Sequence, residues 1–231
     1  MSRARYNQDS WQTAAAYESQ GSGCLSGFII PPLVVLLVGA LLAFFAFNTS
    51  AQSIPMQTTT GPGSVQLSPI FTPEVQYWNA SISRWAVASG LDPNLVAVIM
   101  QIESCGNPFA RSSAGAAGLF QVMPYHFLPA DNPTAPDTNA ERGLDYLKRS
   151  LAASKNDVRL ALACYNGGIG VISRGEWSWP AETIRYAYWG SGIYADALSG
   201  AASSSRLSEW LRAGGASLCN QARQKLGIIT K

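Results

Sequence analysis

DPNLVAVIMQIESCGNP, residues 92–108, is the stretch whose reading sets the fold class. Asp92 is placed to cap a helix, and Pro93 to fill its first turn, where a missing amide proton matters least. The run LVAVIMQIES then reaches Ser104 before Cys105, Gly106 and Pro108 break it. Upstream, Thr72 and Pro73 repeat the same start signal, and Val75, Trp78, Ile82 and Trp85 recur at steps of three and four until Gly90 ends a second helix. Downstream, helical patterns cover about 139–153 (Leu144, Leu147, Leu151), 157–165, 181–189, 205–212 and 217–226. No run alternates as a strand would, so the domain is expected to be mainly α. Glu103 falls in the last turn of the 92–104 helix. There it faces the negative end of the helix dipole, with Met100, Ile102, Phe109 and Phe120 available to make its surroundings apolar. Both effects favour a protonated carboxyl, and an acid that keeps its proton near neutral pH is a general acid.

The N-terminal third is different. Residues 28–47, FIIPPLVVLLVGALLAFFAF, hold no charged or amide side chain. Twenty helical residues span about 30 Å, the thickness of a bilayer's hydrocarbon. The stretch is longer than a signal-peptide core and follows 27 residues that include two Arg and two acids, which favours a membrane anchor over a cleaved leader. Arg3 and Arg5 precede it and no Lys or Arg follows until Arg84, so residues 1–27 are expected in the cytoplasm and everything after the helix outside it. Residues 48–72 are uncharged and rich in Ser, Thr, Gln, Gly and Pro, a linker whose root-mean-square reach is about 30 Å. The expected organisation is a tail (1–27), a transmembrane helix (28–47), a linker (48–72) and a catalytic domain (73–231) with a helical extension from about 190.

Composition narrows the chemistry. The chain has 231 residues, 47% hydrophobic and 13% charged, which excludes a disordered tail, a collagen or a coiled coil. A net charge of +2 gives no field that would make nucleic acid the default partner. His126 is the only histidine and the four cysteines never form a C-x-x-C pair, so no metal site is expected.

Three ordered motifs then point to a family. They are Glu103-Ser104 at a helix end, Gly118-Leu119-Phe120-Gln121-Val122-Met123-Pro124 some 15 residues later, and Cys164-Tyr165-Asn166-Gly167-Gly168. With Asp137, Asn139, Gly143, Tyr146 and Leu147 between them and the run from Trp179 to Tyr186 after them, residues 85–190 resemble the soluble-type lytic transglycosylases, relatives of goose-type lysozyme. The resemblance implies a lysozyme-like fold and cleavage of the β-1,4 bond between N-acetylmuramic acid and N-acetylglucosamine in peptidoglycan glycan strands. Glu103 would be the catalytic acid and base and the product a 1,6-anhydro end, with no metal or cofactor. Substrate contacts would fall on Ser104, Ser112, Gln121, Met123, Tyr165, Asn166, Glu182 and Tyr186, Tyr165 bringing its hydroxyl near Glu103 or the substrate acetamido group. Trp177, Trp179 and Tyr186 offer rings for sugar faces, although most of the seven Trp are expected in the core. Cys164 stands where the family usually has a small Ala, which implies a buried free thiol and leaves Cys105 and Cys219 as a pair.

Other readings compete. A second carboxylate, from Asp131 or Asp137, would make the enzyme a hydrolytic muramidase. Cys105 with His126 and Asn132 would make it a cysteine peptidase. A domain that only binds glycan, or scaffolds an envelope-spanning machine, would not need Glu103.

Overall fold

A computed structural model describes residues 67–229. The cytoplasmic tail, the membrane helix at 28–47 and most of the linker expected at 48–72 lie outside the described residues. Among those described, no helix is long and apolar enough to cross a membrane.

The described chain is mainly helical: α1 (Pro73–Gln76), α2 (Asn79–Ser89), α3 (Pro93–Glu103), α4 (Pro136–Ala153), α5 (Val158–Gly167), α6 (Ala181–Leu198), α7 (Ser205–Trp210) and α8 (Ala216–Leu226). Strand pairing among the described residues amounts to two isolated bridges, Arg111 to Ala117 and Ala117 to Val122, which pin a small hairpin after α3. Asp92 caps α3 as its position predicts, accepting from Asn94 N at 2.8 Å and Leu95 N at 3.2 Å. Every residue from Leu95 to Gln101 is buried, so α3 runs through the core, packed against α2 and α6. Glu103 is its last residue, half-buried just beyond that run.

Two boundaries depart from the sequence reading, each for a tertiary reason. The helix expected from Pro73 to Gly90 breaks at Tyr77 and Trp78. Trp78 N bonds back three residues to Val75 O, and its indole Nε1 donates to Gly106 O at 2.9 Å, tying the break to the corner after α3. Thr72 sits at the cap position, but its hydroxyl turns away to Gln101 Oε1. The helix expected to stop near 189 continues to Leu198 through Gly190-Ser191-Gly192. Gly190 is there for close approach: a Cβ on it would lie 2.9 Å from Leu162 Cδ1 on α5.

The C-terminal extension is locked to the front of the domain. Cys105, immediately after α3, is disulfide-bonded to Cys219 on α8. Beside it Arg223 donates from Nε at 2.7 Å and Nη2 at 2.6 Å to Oε1 of Glu74, whose side chain is fully buried in α1. The crosslink spans 114 residues, worth about 4–5 kcal/mol on a chain-entropy account. Cys164 is free and buried, which pushes its thiol pKa up.

Candidate active site

The site begins where α3 ends. Ser104 N and Cys105 N still bond to Met100 O and Gln101 O, and Cys105 then turns the chain with φ of 50°. The Ser104 hydroxyl, expected at the substrate, is fully buried: it donates to Leu119 O at 2.7 Å and accepts from Gly106 N at 3.1 Å. It therefore clamps the Gly118–Pro124 segment onto the end of α3.

Glu103 points the other way. The Tyr186 hydroxyl, one turn and more into α6, donates to Glu103 Oε1 at 2.8 Å. Desolvation by the surrounding protein, reinforced by the negative charge of Glu182 and only partly offset by the Tyr186 hydrogen bond, pushes the Glu103 pKa up to about 8. Met100 and Phe120 are fully buried and Ile102 half-buried beside it in sequence and loop, whereas Phe109, expected in the same apolar shell, is exposed. Burial also lifts the Tyr165 and Tyr186 hydroxyls well above the ordinary phenol value, with the Glu103 charge adding to it, so both stay neutral donors.

An open cleft adjoins this acid through Tyr165. Its lining includes Gln121, Met123, Tyr125, His126, Tyr146 and Asn166. Gln121, with φ of 45°, gives its amide protons to Ala110 O at 3.2 Å and Gly118 O at 3.0 Å, which leaves Oε1 to accept. Asn166 Oδ1 accepts from Thr183 Oγ1 at 2.8 Å, which leaves Nδ2 to donate. Together they offer the acceptor and the donor that an N-acetyl group needs. Tyr165 commits its proton to Phe120 O at 2.8 Å rather than to Glu103, so the phenol that meets the acid is Tyr186. Met123 is on the cleft; Ser112 is exposed on the hairpin, accepting from Ala116 N at 3.0 Å, and is not among these lining residues. Glu182 is exposed in the first turn of α6. Trp179 is buried with its indole on Val171 O and Arg174 O, while Trp177 is 90% exposed.

The segment carrying Gln121 is held by a residue with no catalytic look. Asn139, fully buried in α4, accepts from Phe120 N at 2.8 Å and donates to Ala117 O at 2.8 Å and Pro133 O at 2.9 Å. Gly118, φ 80°, lies against that amide, and any Cβ there would collide with it.

The sequence reading missed the aromatic wall of the cleft. Tyr125, His126, Tyr146 and Tyr165 follow one another with ring centroids 4.6, 4.7 and 5.6 Å apart. Tyr146 belongs to the segment between the Gly118–Pro124 and Cys164–Gly168 motifs and His126 reads in sequence only as a base, so the residues are visible there but their common face is not.

Competing chemistries lose their parts. Cys105 is bonded to Cys219, so it is no nucleophile for His126. Asp131 is held by Arg142 and Leu128 N, and Asp137 by Trp85 Nε1 and Arg84; these hydrogen bonds keep both carboxyls below the usual range and ionised. Neither lies on the lining of the cleft described above. Glu74, Cys105 and Cys219 bring three potential metal ligands within 4.8 Å of one another. The two sulfurs are bonded to each other and Glu74 is engaged by Arg223.

A mainly α domain with an uncharged carboxylic acid beside a polar and aromatic cleft has the parts of a glycan-cleaving enzyme. Residues 80–183 match the family described as Transglycosylase SLT domain. The chain is 36% identical over 114 residues to the transglycosylase of Enterobacteria phage PRD1, a match covering 48% of this chain and 40% of the phage protein. It is 39% identical over 62 residues to the endo-type membrane-bound lytic murein transglycosylase A of Klebsiella pneumoniae, covering 25% of this chain and 30% of that protein. A solved structure of an inactive mutant of lytic transglycosylase Slt from Pseudomonas aeruginosa aligns at 25% identity and a TM-score of 0.44, over 53% of this chain and 24% of that one. The chain thus spans well under half the length of these relatives.

Proposed function

We propose that the chain is a membrane-anchored lytic transglycosylase that cuts the β-1,4 bond between N-acetylmuramic acid and N-acetylglucosamine in peptidoglycan. The observation that carries this reading is the Glu103 carboxyl, held protonated up to a pKa of about 8 at the end of α3 in an SLT domain. Glu103 gives its proton to the glycosidic oxygen as the C1–O4 bond breaks, and the N-acetylglucosamine 4-hydroxyl leaves. The substrate's own acetamido oxygen carries the positive charge left at C1, with Gln121 and Asn166 positioned to orient that group. The Glu103 carboxylate then takes the proton of the muramic acid 6-hydroxyl as O6 bonds to C1. The acid is regenerated, no water is consumed, and one carboxyl suffices. Tyr186 acts throughout as a neutral donor that steadies the carboxylate form without ionising.

Anchoring is proposed through residues 28–47, with the catalytic domain outside the cytoplasm; their uncharged apolar run supports it. The disulfide fits an oxidising compartment. Such a tethered domain works on wall close to the bilayer, either alone or within envelope machinery.

The test is mass spectrometry of glycan ends released from purified peptidoglycan by the full-length chain, beside its Glu103→Gln variant. Ends lighter by one water than reducing muramic acid are expected. Reducing ends would make the protein a hydrolytic muramidase, and no cleavage by the native sequence would leave a glycan-binding or scaffold domain. For the anchor, protease added outside spheroplasts should degrade the domain, and protection would overturn the topology.

A further inference from the structure

Most arginines of the described domain answer a carboxylate: Arg84 with Asp137, Arg142 with Asp131, Arg149 with Asp145 and Arg223 with Glu74 are examples. Arg111 does not. It is exposed, and among the described residues no carboxylate pairs with it. It nevertheless sits on a fixed backbone. Arg111 bridges to Ala117, and the carbonyl just before it, Ala110 O, accepts from Gly118 N at 2.9 Å and from the Gln121 side chain.

Arg111 lines a groove whose floor is apolar, with Pro124, Phe127, Leu128 and Pro133. The acid in that groove, Asp131, is already satisfied: Arg142 donates to it at 2.7 and 3.2 Å and Leu128 N at 2.8 Å. The charge left for a ligand is therefore the Arg111 guanidinium, whose planar fork suits a carboxylate.

The groove and the cleft share one wall. Met123, Tyr125 and His126 line the cleft, while Pro124, Phe127 and Leu128 from the same segment line the groove. Peptidoglycan presents both surfaces at once, because each muramic acid carries a short peptide bearing free carboxylates. Three extended residues of such a peptide reach about 10 Å, enough to cross a wall one backbone thick. We infer that this groove is the subsite for the peptide stem of the muramic acid bound in the cleft, with Arg111 holding a stem carboxylate over the proline-lined floor. The inference rests on the proposed function and adds to it a preference for peptide-bearing glycan.

Binding tests it without turnover. The full-length chain carrying Glu103→Gln is titrated with disaccharide-tripeptide fragments of peptidoglycan and with the same disaccharide stripped of peptide by an amidase. The peptide-bearing fragment should bind about tenfold tighter, the scale of one charge-assisted hydrogen bond. Adding Arg111→Ala should erase that preference and leave the affinity for stripped disaccharide unchanged, with Arg111→Lys retaining part of it. Equal affinities for the two fragments, or an equal loss on both in the Arg111→Ala chain, would overturn the subsite. Failure of the enzymatic reading shows separately: native Glu103 protein that prefers the peptide-bearing fragment yet cuts no glycan would overturn the activity and leave the groove in place.

Discussion

Glu74 and Glu103 are two carboxyls drawn into the protein beside the same helix end, and they are treated in opposite ways. Glu74 lies by the Cys105–Cys219 bond with no exposed surface and receives two nitrogens of Arg223. Glu103, two residues before Cys105, receives a neutral phenol and the repulsion of Glu182. A buried acid given a cation is part of the scaffold. One denied a cation keeps its proton and can hand it to a substrate. The contrast separates the structural from the chemical use of one residue type within a single corner of the fold.

The contrast can be broken most sharply at Glu103. Glu103→Gln should lower glycan cleavage by about 10² to 10⁴. It should also stabilise the fold at alkaline pH. With a folded pKa of about 8 against an ordinary 4.5, ionising Glu103 works against folding, a penalty absent below pH 4.5 that grows up to about 8 and then levels off. Thermal unfolding from pH 4 to 9 should show the variant gaining over the native chain across that window; a constant difference would mean Glu103 is not held protonated. Next in size, Arg223→Ala leaves Glu74 buried without its cation and should destabilise by about 3–5 kcal/mol in urea unfolding. A loss under about 1 kcal/mol would show that Glu74 does not depend on Arg223. The smallest effects sharpen the tuning. On the proposed mechanism Glu103 works as an acid, so activity should fall as pH rises through about 8. Tyr186→Phe removes a hydrogen bond that lowers this pKa, so the alkaline limb should move up. Glu182→Gln removes a repulsion that raises it, so the limb should move down, by under about one unit at an exposed site. Movement in the same direction would mean that one of the two contacts acts on Glu103 in the opposite sense.

What could be read in the sequence was what is local. Asp92 and Pro93 announce α3, and the absence of alternation announces a helical domain, because capping and periodicity act over a few residues. The helix expected over 181–189 runs on through Gly190, which packs against Leu162, a fact that no window around position 190 contains. The same holds at the site. Glu103, Gln121 and Tyr165 could be picked from motifs, but the motif does not say which phenol meets the acid, and the answer, Tyr186, lies 83 residues away. Ser104 stands beside Glu103 in sequence and faces the opposite way, into Leu119 and Gly106. Glu74 and Arg223, 149 residues apart, carry no sequence signal of their pairing at all.

The bond between Cys105 and Cys219 also decides what a protease can do to the domain. It closes residues 105–219 into a covalent ring that holds Gln121, Tyr146, Tyr165 and Tyr186. A single cut by a protease at the exposed hairpin around 112–114, or in the exposed turns around Trp177, opens the ring without releasing a fragment. The domain can be nicked and still not be severed.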